Sequence, residues 1–326
     1  MEPRVPVRIA GTGSVAAGPA VTTAELVSRV AGALDVAAVE RKTGIGSRRF
    51  AAAATRAADL AAQALGEALA AAGLPARALE RLIFVSSVGG DALIPATASA
   101  VAAALGLAGT CDCFDLNNAC MGFLTAFDVA ARSVATGRGP VGIVTGELLS
   151  RFTTPDDPRP FLVLGDGVAA AVLAEGRAGE GILGSWLRND GTLAGDVALA
   201  HPGLTGRRET IRFTTSSRHI TEEAIEGFRW SVEAVLAEAA LALPEVEWLV
   251  LHQPNGSLLA AVIEALALDR DRLLPVVGEV GSVGAASIAI GLDRLMRSGR
   301  VRPGDRILMA GVGAGVSYGA ILVRVA

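Results

Sequence analysis

The residues best placed for chemistry are a cysteine and a histidine far apart in the chain. Cys120 follows Asp115-Leu116-Asn117-Asn118-Ala119 and precedes a long helical pattern. That puts a thiol in a turn at a helix N-terminus, where free N–H groups and the helix dipole favour the reactive thiolate. Ala119 and Gly122 are small enough to admit a substrate. His252 ends the apolar run Trp248-Leu249-Val250-Leu251 and is followed by Gln253-Pro254-Asn255. Carboxyl ends of strands are where α/β folds build sites, and an imidazole serves there as base or donor. Together they suggest acyl transfer through a covalent thioester.

The remaining candidates are weaker. Cys111 and Cys113 lie in an apolar strand pattern and read as structural. His201 and His219 fall in an irregular stretch, 189–219, and read as surface or pocket-rim residues. The glycine-rich segment from Gly278 to Ser287 lacks the Gly-Lys-Ser/Thr of a phosphate loop. Gly11-Thr12-Gly13 lacks the third glycine and the later acid of a dinucleotide site. Gly311, Gly313 and Gly315 allow close backbone approach, as an oxyanion-binding N–H requires. Three cysteines within ten residues form no disulfide framework, and no second Cys/His cluster completes a zinc site. No cofactor or metal is expected.

The elements that must hold these residues alternate between helix and strand. Helical patterns cover 52–72, 95–105, 121–136, 220–242, 257–266 and 285–297, and strand patterns cover 82–87, 111–116, 141–147, 247–252 and 306–311. This predicts an α/β fold with largely parallel strands. The order repeats. The turn Gly137-Arg138-Gly139-Pro140 leads into a buried strand ending in Gly146, and Gly299–Gly304 leads into one ending in Gly311. Two related halves, 1–175 and 176–326, follow.

The chain has 326 residues and a formal net charge of -4, which excludes a nucleic-acid footprint. No apolar run reaches the roughly 18 residues of a membrane span, and the N-terminus shows no signal peptide. A reducing cytoplasm fits the free cysteines.

Several motifs, in order, resemble the β-ketoacyl-acyl-carrier-protein synthase III family of the thiolase superfamily. Lys42-Thr43-Gly44-Ile45 with Arg48-Arg49 is similar to its Arg-Thr-Gly-Ile segment. Asn118-Ala119-Cys120-Met121-Gly122-Phe123 resembles its nucleophile motif, and Leu164-Gly165-Asp166-Gly167 its Phe-Gly-Asp-Gly turn. Asn189-Asp190-Gly191, His252-Gln253-Pro254-Asn255, Gly284-Ala285-Ala286-Ser287-Ile288 and Gly313–Ala320 complete the set. The resemblance implies duplicated βαβαβαββ halves in five αβαβα layers, and a homodimer. It implies Cys120 as the acylated nucleophile, His252 as its partner, and an oxyanion hole from the N–H groups of Cys120 and Gly315. Leu93, Ile94, Asn118 and Asn255 fall at its acyl pocket, with Leu93-Ile94 matching a segment that closes the partner's pocket across the dimer. An acyl carrier protein is the implied partner.

Three positions depart from the family pattern. Ser282 stands where its condensing members carry Asn. The His/Asn pair there stabilises the enolate left by decarboxylation, and losing a placed oxyanion donor costs about 10²–10³ in rate. Ala38 replaces a tryptophan that stacks on coenzyme A, and Ser257 replaces a carrier-docking arginine. These point to an acyltransferase of the type found in natural-product pathways, including polyketide pathways. It would pass an acyl or aryl group from one carrier protein to another, or to a hydroxyl, through Cys120, His252 and Ser282. The alternatives are a true condensing synthase III and a non-catalytic partner subunit, against which retention of Cys120 and His252 argues. Arg207, Arg208, Arg212 and Arg218 offer basic character for an acidic carrier.

Overall fold

A computed structural model describes residues 2–325. Two sheets carry the fold. The first runs, in spatial order, Val7–Val15, Asp166–Glu175, Val141–Leu148, Arg81–Val85, Asp112–Leu116. The second runs Gly181–Asn189, Ser317–Arg324, Arg306–Gly313, Trp248–Leu251. Leu273 adds a single parallel bridge to Leu249, where a fifth strand would stand. The two sheets share one order and one pattern: two antiparallel joints, then parallel ones.

The expectation of largely parallel strands is corrected by these joints, four of which are antiparallel and three parallel. The cause is local. Ser317–Arg324 follows Arg306–Gly313 after only three residues, and so short a connection cannot make a parallel crossover. Asp166–Glu175 is buried along nearly all its length, so its continuous apolar run carries no mark of direction.

Helices Gly122–Ala135 and Ala286–Arg297 fill the space between the sheets. Phe123, Phe127, Ile288 and Leu292 pack there against Ile83, Ile143, Ile307 and Ile321. Ala57–Ala72 covers the outer face of the first sheet, its Ala61, Ala64, Leu65 and Ala68 against Leu82, Phe84 and Val172. Ser217–Glu238 covers the second through Phe228, Val232 and Val235. The result is five layers, αβαβα. Gly11 and Gly13 have a packing role: a Cβ on Gly11 would lie 2.2 Å from the Ala68 carbonyl oxygen.

Helix starts are set by partners distant in sequence. The first of these helices begins at Ala57, not 52, because Asp91 accepts from the N–H groups of Ala57 and Ala58 at 2.7 and 2.9 Å. Asp115 does the same for Thr97 and Ala98 of Thr97–Ala104, at 2.7 and 2.8 Å. Such carboxylates satisfy orphan donors that the first turn cannot pair internally. No helix among the described residues is long and apolar enough to cross a membrane.

Candidate active site

Cys120 sits between the edge strand Asp112–Leu116 and the inter-sheet helix Gly122–Ala135. Ala119 before it has φ +45°, a left-handed conformation that a Cβ disfavours and that its surroundings must enforce. The enforcement is visible. The Ala119 N–H donates to Asn117 Oδ1 at 3.0 Å. Asn118 Nδ2 donates to Thr125 Oγ1 at 2.8 Å, and Asn118 Oδ1 accepts from Ser317 Oγ at 3.0 Å. Asn118 therefore clamps the nucleophile turn to the other half of the fold and does not line the cavity, which corrects its expected pocket role. Gly313 presses on the same turn, and a Cβ there would lie 3.1 Å from the backbone nitrogens of Cys120 and Met121.

His252 leaves the strand Trp248–Leu251 with its N–H bonded to the Ala310 carbonyl at 2.9 Å. Gln253 anchors the loop beyond. Its N–H donates to Ser287 Oγ, and its Oε1 accepts from Val276 and Val277 at 2.8 and 3.1 Å. Ser282 is held by its backbone, the N–H donating to Val163 and the carbonyl accepting from Gly165, both at 2.9 Å. Cys120, His252 and Ser282 meet on the wall of one cavity of about 730 Å³.

Burial sets the electrostatics. His252 is 2% exposed, its Nδ1 has no partner, and its pKa falls to about 4. The imidazole is thus neutral near pH 7, as a base must be. The Cys120 thiol is pushed up to about 12, first by burial and then by the negative charge of Glu147. Backbone N–H groups of Ala314 and of Cys120 itself work against that shift. The second backbone N–H facing the sulfur is that of Ala314, one residue before Gly315, which has φ +134° and joins Val316 through a cis peptide.

The other expected pocket residues divide. Asn255 lines the cavity, but its Oδ1 caps the helix Gly256–Ala265 through the Leu258 N–H at 2.8 Å. Leu93 and Ile94 do not line this chain's cavity; they project into solvent, 80% and 88% exposed. The proposed basic surface is mostly spent within the chain. Arg207 and Arg212 pair with Glu209, and Arg218 pairs with Glu222. His201 caps a short helix, and His219 meets the cavity-lining Asp196 at 3.0 Å.

Two contributors escape a sequence reading. The irregular stretch 189–219 supplies much of the apolar wall, with Ile211 packed on Leu149 and Leu164 and with Phe213 beside them. Glu147 is fully buried, and its pKa is raised to about 7 by burial against four hydrogen-bonding groups that lower it. The available signal was an acid at the end of an otherwise apolar strand. No cluster of His, Cys, Asp or Glu fit for a metal exists among the described residues.

Comparison with known proteins fits this geometry. The family described as 3-oxoacyl-[acyl-carrier-protein (ACP)] synthase III matches residues 114–191, and its C-terminal counterpart matches 236–325. The β-ketoacyl-[acyl-carrier-protein] synthase III of Thermosynechococcus vestitus is 35% identical over 88% of this chain and 89% of its own. The one from Laribacter hongkongensis is 34% identical over 97% and 98%. The chain belongs to the synthase III family. Among solved structures, synthase III from Aquifex aeolicus superposes with TM-score 0.89 at 28% identity, covering 98% of this chain and 99% of that one. A variant of Xanthomonas campestris OleA gives 0.87 at 27%, covering 98% of each. The thiolase fold and a transferase chemistry on carrier-bound acyl groups go with membership in this synthase III family.

Proposed function

We propose that this chain is an acyltransferase that moves an acyl or aryl group from a carrier-protein thioester, through a Cys120 thioester, to a second carrier protein or a hydroxyl acceptor. The setting is polyketide or related natural-product biosynthesis, without decarboxylative condensation. Ser282 carries this reading: a short hydroxyl, 5% exposed, stands on the cavity wall with Cys120 and His252 where a condensing site needs an amide donor beside the histidine.

In the first half-reaction Cys120 Sγ attacks the donor's carbonyl carbon while neutral His252 takes the thiol proton. The N–H groups of Cys120 and Ala314 stabilise the oxyanion. The carrier's C–S bond breaks, and its sulfur takes the proton from His252. The second half runs in reverse with a new acceptor. His252 accepts the acceptor's proton, its sulfur or oxygen attacks the acyl carbon, and Cys120 Sγ leaves and is reprotonated. The apolar wall of Leu149, Leu164, Ile211 and Phe213 suits an acyl body without charge.

The two relatives named as β-ketoacyl-[acyl-carrier-protein] synthase III support a second reading, decarboxylative condensation. One experiment separates the two. The protein is mixed with acylated carrier plus either a second free carrier or malonyl carrier. Intact mass reports the Cys120 adduct and the second carrier, and CO₂ release with a β-keto product reports condensation. Transfer to the free carrier without CO₂ supports acyl transfer. Efficient CO₂ release overturns it in favour of condensation, and no adduct on Cys120 with any donor overturns both.

A further inference from the structure

Glu147 is the penultimate residue of the buried strand Val141–Leu148 at the centre of the first sheet, with no part in the proton transfers above. Its oxygens gather donors from two directions. Within its own half, the Ser87 N–H lies 3.1 Å from each oxygen. The hydroxyls of Ser87 and Ser86 reach Oε2 at 2.8 and 3.3 Å. From the other half, the Ala285 N–H donates to Oε1 at 3.0 Å. That residue closes the loop Gly281-Ser282-Val283-Gly284, and a Cβ on Gly284 would lie 2.8 Å from Glu147 Oε1. No arginine, lysine or histidine pairs with this carboxyl among the described residues.

We infer that Glu147 is a positioning residue for the Ser282 loop, fixing the third catalytic position of the second half against the sheet that presents Cys120. A buried carboxyl satisfied only by N–H and O–H groups is costly to keep for packing alone, since an apolar side chain would fill the space. Its donors include the one backbone N–H that ends the Ser282 loop and the Ser87 segment on the cavity wall. Removing it frees that loop end, and displacements of the order of 1 Å at a reacting geometry cost about 100-fold in rate. Glutamine in its place keeps one oxygen for the Ala285 and Ser87 N–H groups and turns its amide to hydroxyls that can rotate to accept.

This inference rests on the acyl-transfer reading and takes Ser282 to orient the incoming acceptor beside His252 in the second half-reaction. The test measures single-turnover acylation of Cys120 and the following transfer to free carrier protein. It uses the wild type, Glu147→Ala, Glu147→Gln, Ser282→Ala and the Glu147→Ala/Ser282→Ala pair. Expected are transfer slowed about 10- to 100-fold by either alanine with the acceptor KM unchanged, a smaller effect on acylation, and most of the transfer rate restored by glutamine. The double variant should be no slower than the slower single one. An additive double variant overturns the inference while the acyl-transfer reading stands. Normal transfer in Ser282→Ala overturns it too, and a wild type that never acylates overturns the reading beneath it. Should Glu147→Ala not fold, Gly284→Ala disturbs the same loop end with Glu147 in place. It must then show the same selective loss of transfer; unchanged transfer there overturns the inference.

Discussion

At pH 7 the Cys120 thiol holds its proton, and His252, held down to about 4 by burial, has none to give until it takes that one. Activation must therefore occur with substrate bound, proton moving as the C–S bond forms, not through a standing thiolate. Alkylation by iodoacetamide, mapped to the Cys120 peptide, should still climb at pH 10 instead of levelling near the ordinary thiol value of about 8.5. A plateau there would mean the helix N-terminus outweighs burial and Glu147. The same burial links stability to pH. Between pH 4.5 and 6.5 an unfolded His252 is protonated and the folded one is not, so stability rises with pH. Over that range an unfolded Glu147 is ionised and the folded one, raised to about 7, keeps its proton, so stability falls with pH. Each slope is about 1.4 kcal/mol per pH unit and their signs oppose, leaving little net dependence from the pair. Glu147→Gln should unmask the histidine: urea unfolding should show stability falling on acidification from 6.5 to 4.5 by about that slope more than wild type. An unchanged slope would refute the opposed pair.

At the scale of elements, the site is a meeting of turns whose shape is set by what presses on them. Gly313 has no side chain because the Cys120 turn occupies that space. Gly313→Ala should therefore push the nucleophile by a few tenths of an ångström. Cys120 acylation by acyl carrier should slow about 10- to 100-fold, and overpacking should cost about 1–3 kcal/mol of stability. Unchanged acylation would show that the turn yields freely. Such contacts explain what was readable in advance. Cys120 before a helix and His252 after a strand announce themselves by local order, as do Gly137 and Gly299, glycines with positive φ placed after helices. The donor at Ala314 and the clamping role of Asn118 do not, because both depend on which backbone the strand Ser317–Arg324 brings alongside. Antiparallel joints were hidden for a like reason, since buried strands read alike in either direction. Glu147 gives no such sign, because its partners come from two segments distant in sequence, Ser86-Ser87 and Ala285.

At the scale of the whole molecule, the two matching sheets suggest a duplicated unit, with His252 and Ser282 carried by the half that lacks the cysteine. One edge of the first sheet remains open within the chain: Asp112–Leu116 pairs with Arg81–Val85 on one side only. Open edges invite pairing with another strand. Near it in sequence, Leu93 and Ile94 expose large apolar side chains, a costly placement for a segment that stays in water. A second copy of the chain, joined along this edge, would cover both. Light scattering after size-exclusion chromatography should then give about twice the 33.0 kDa of one chain. Leu93→Asp/Ile94→Asp should weaken that association and slow Cys120 acylation together, because the same two side chains would close the neighbour's cavity. A wild type that is monomeric at micromolar concentration would refute the pairing. A double variant that dissociates yet acylates at the full rate would show instead that each cavity is complete within one chain.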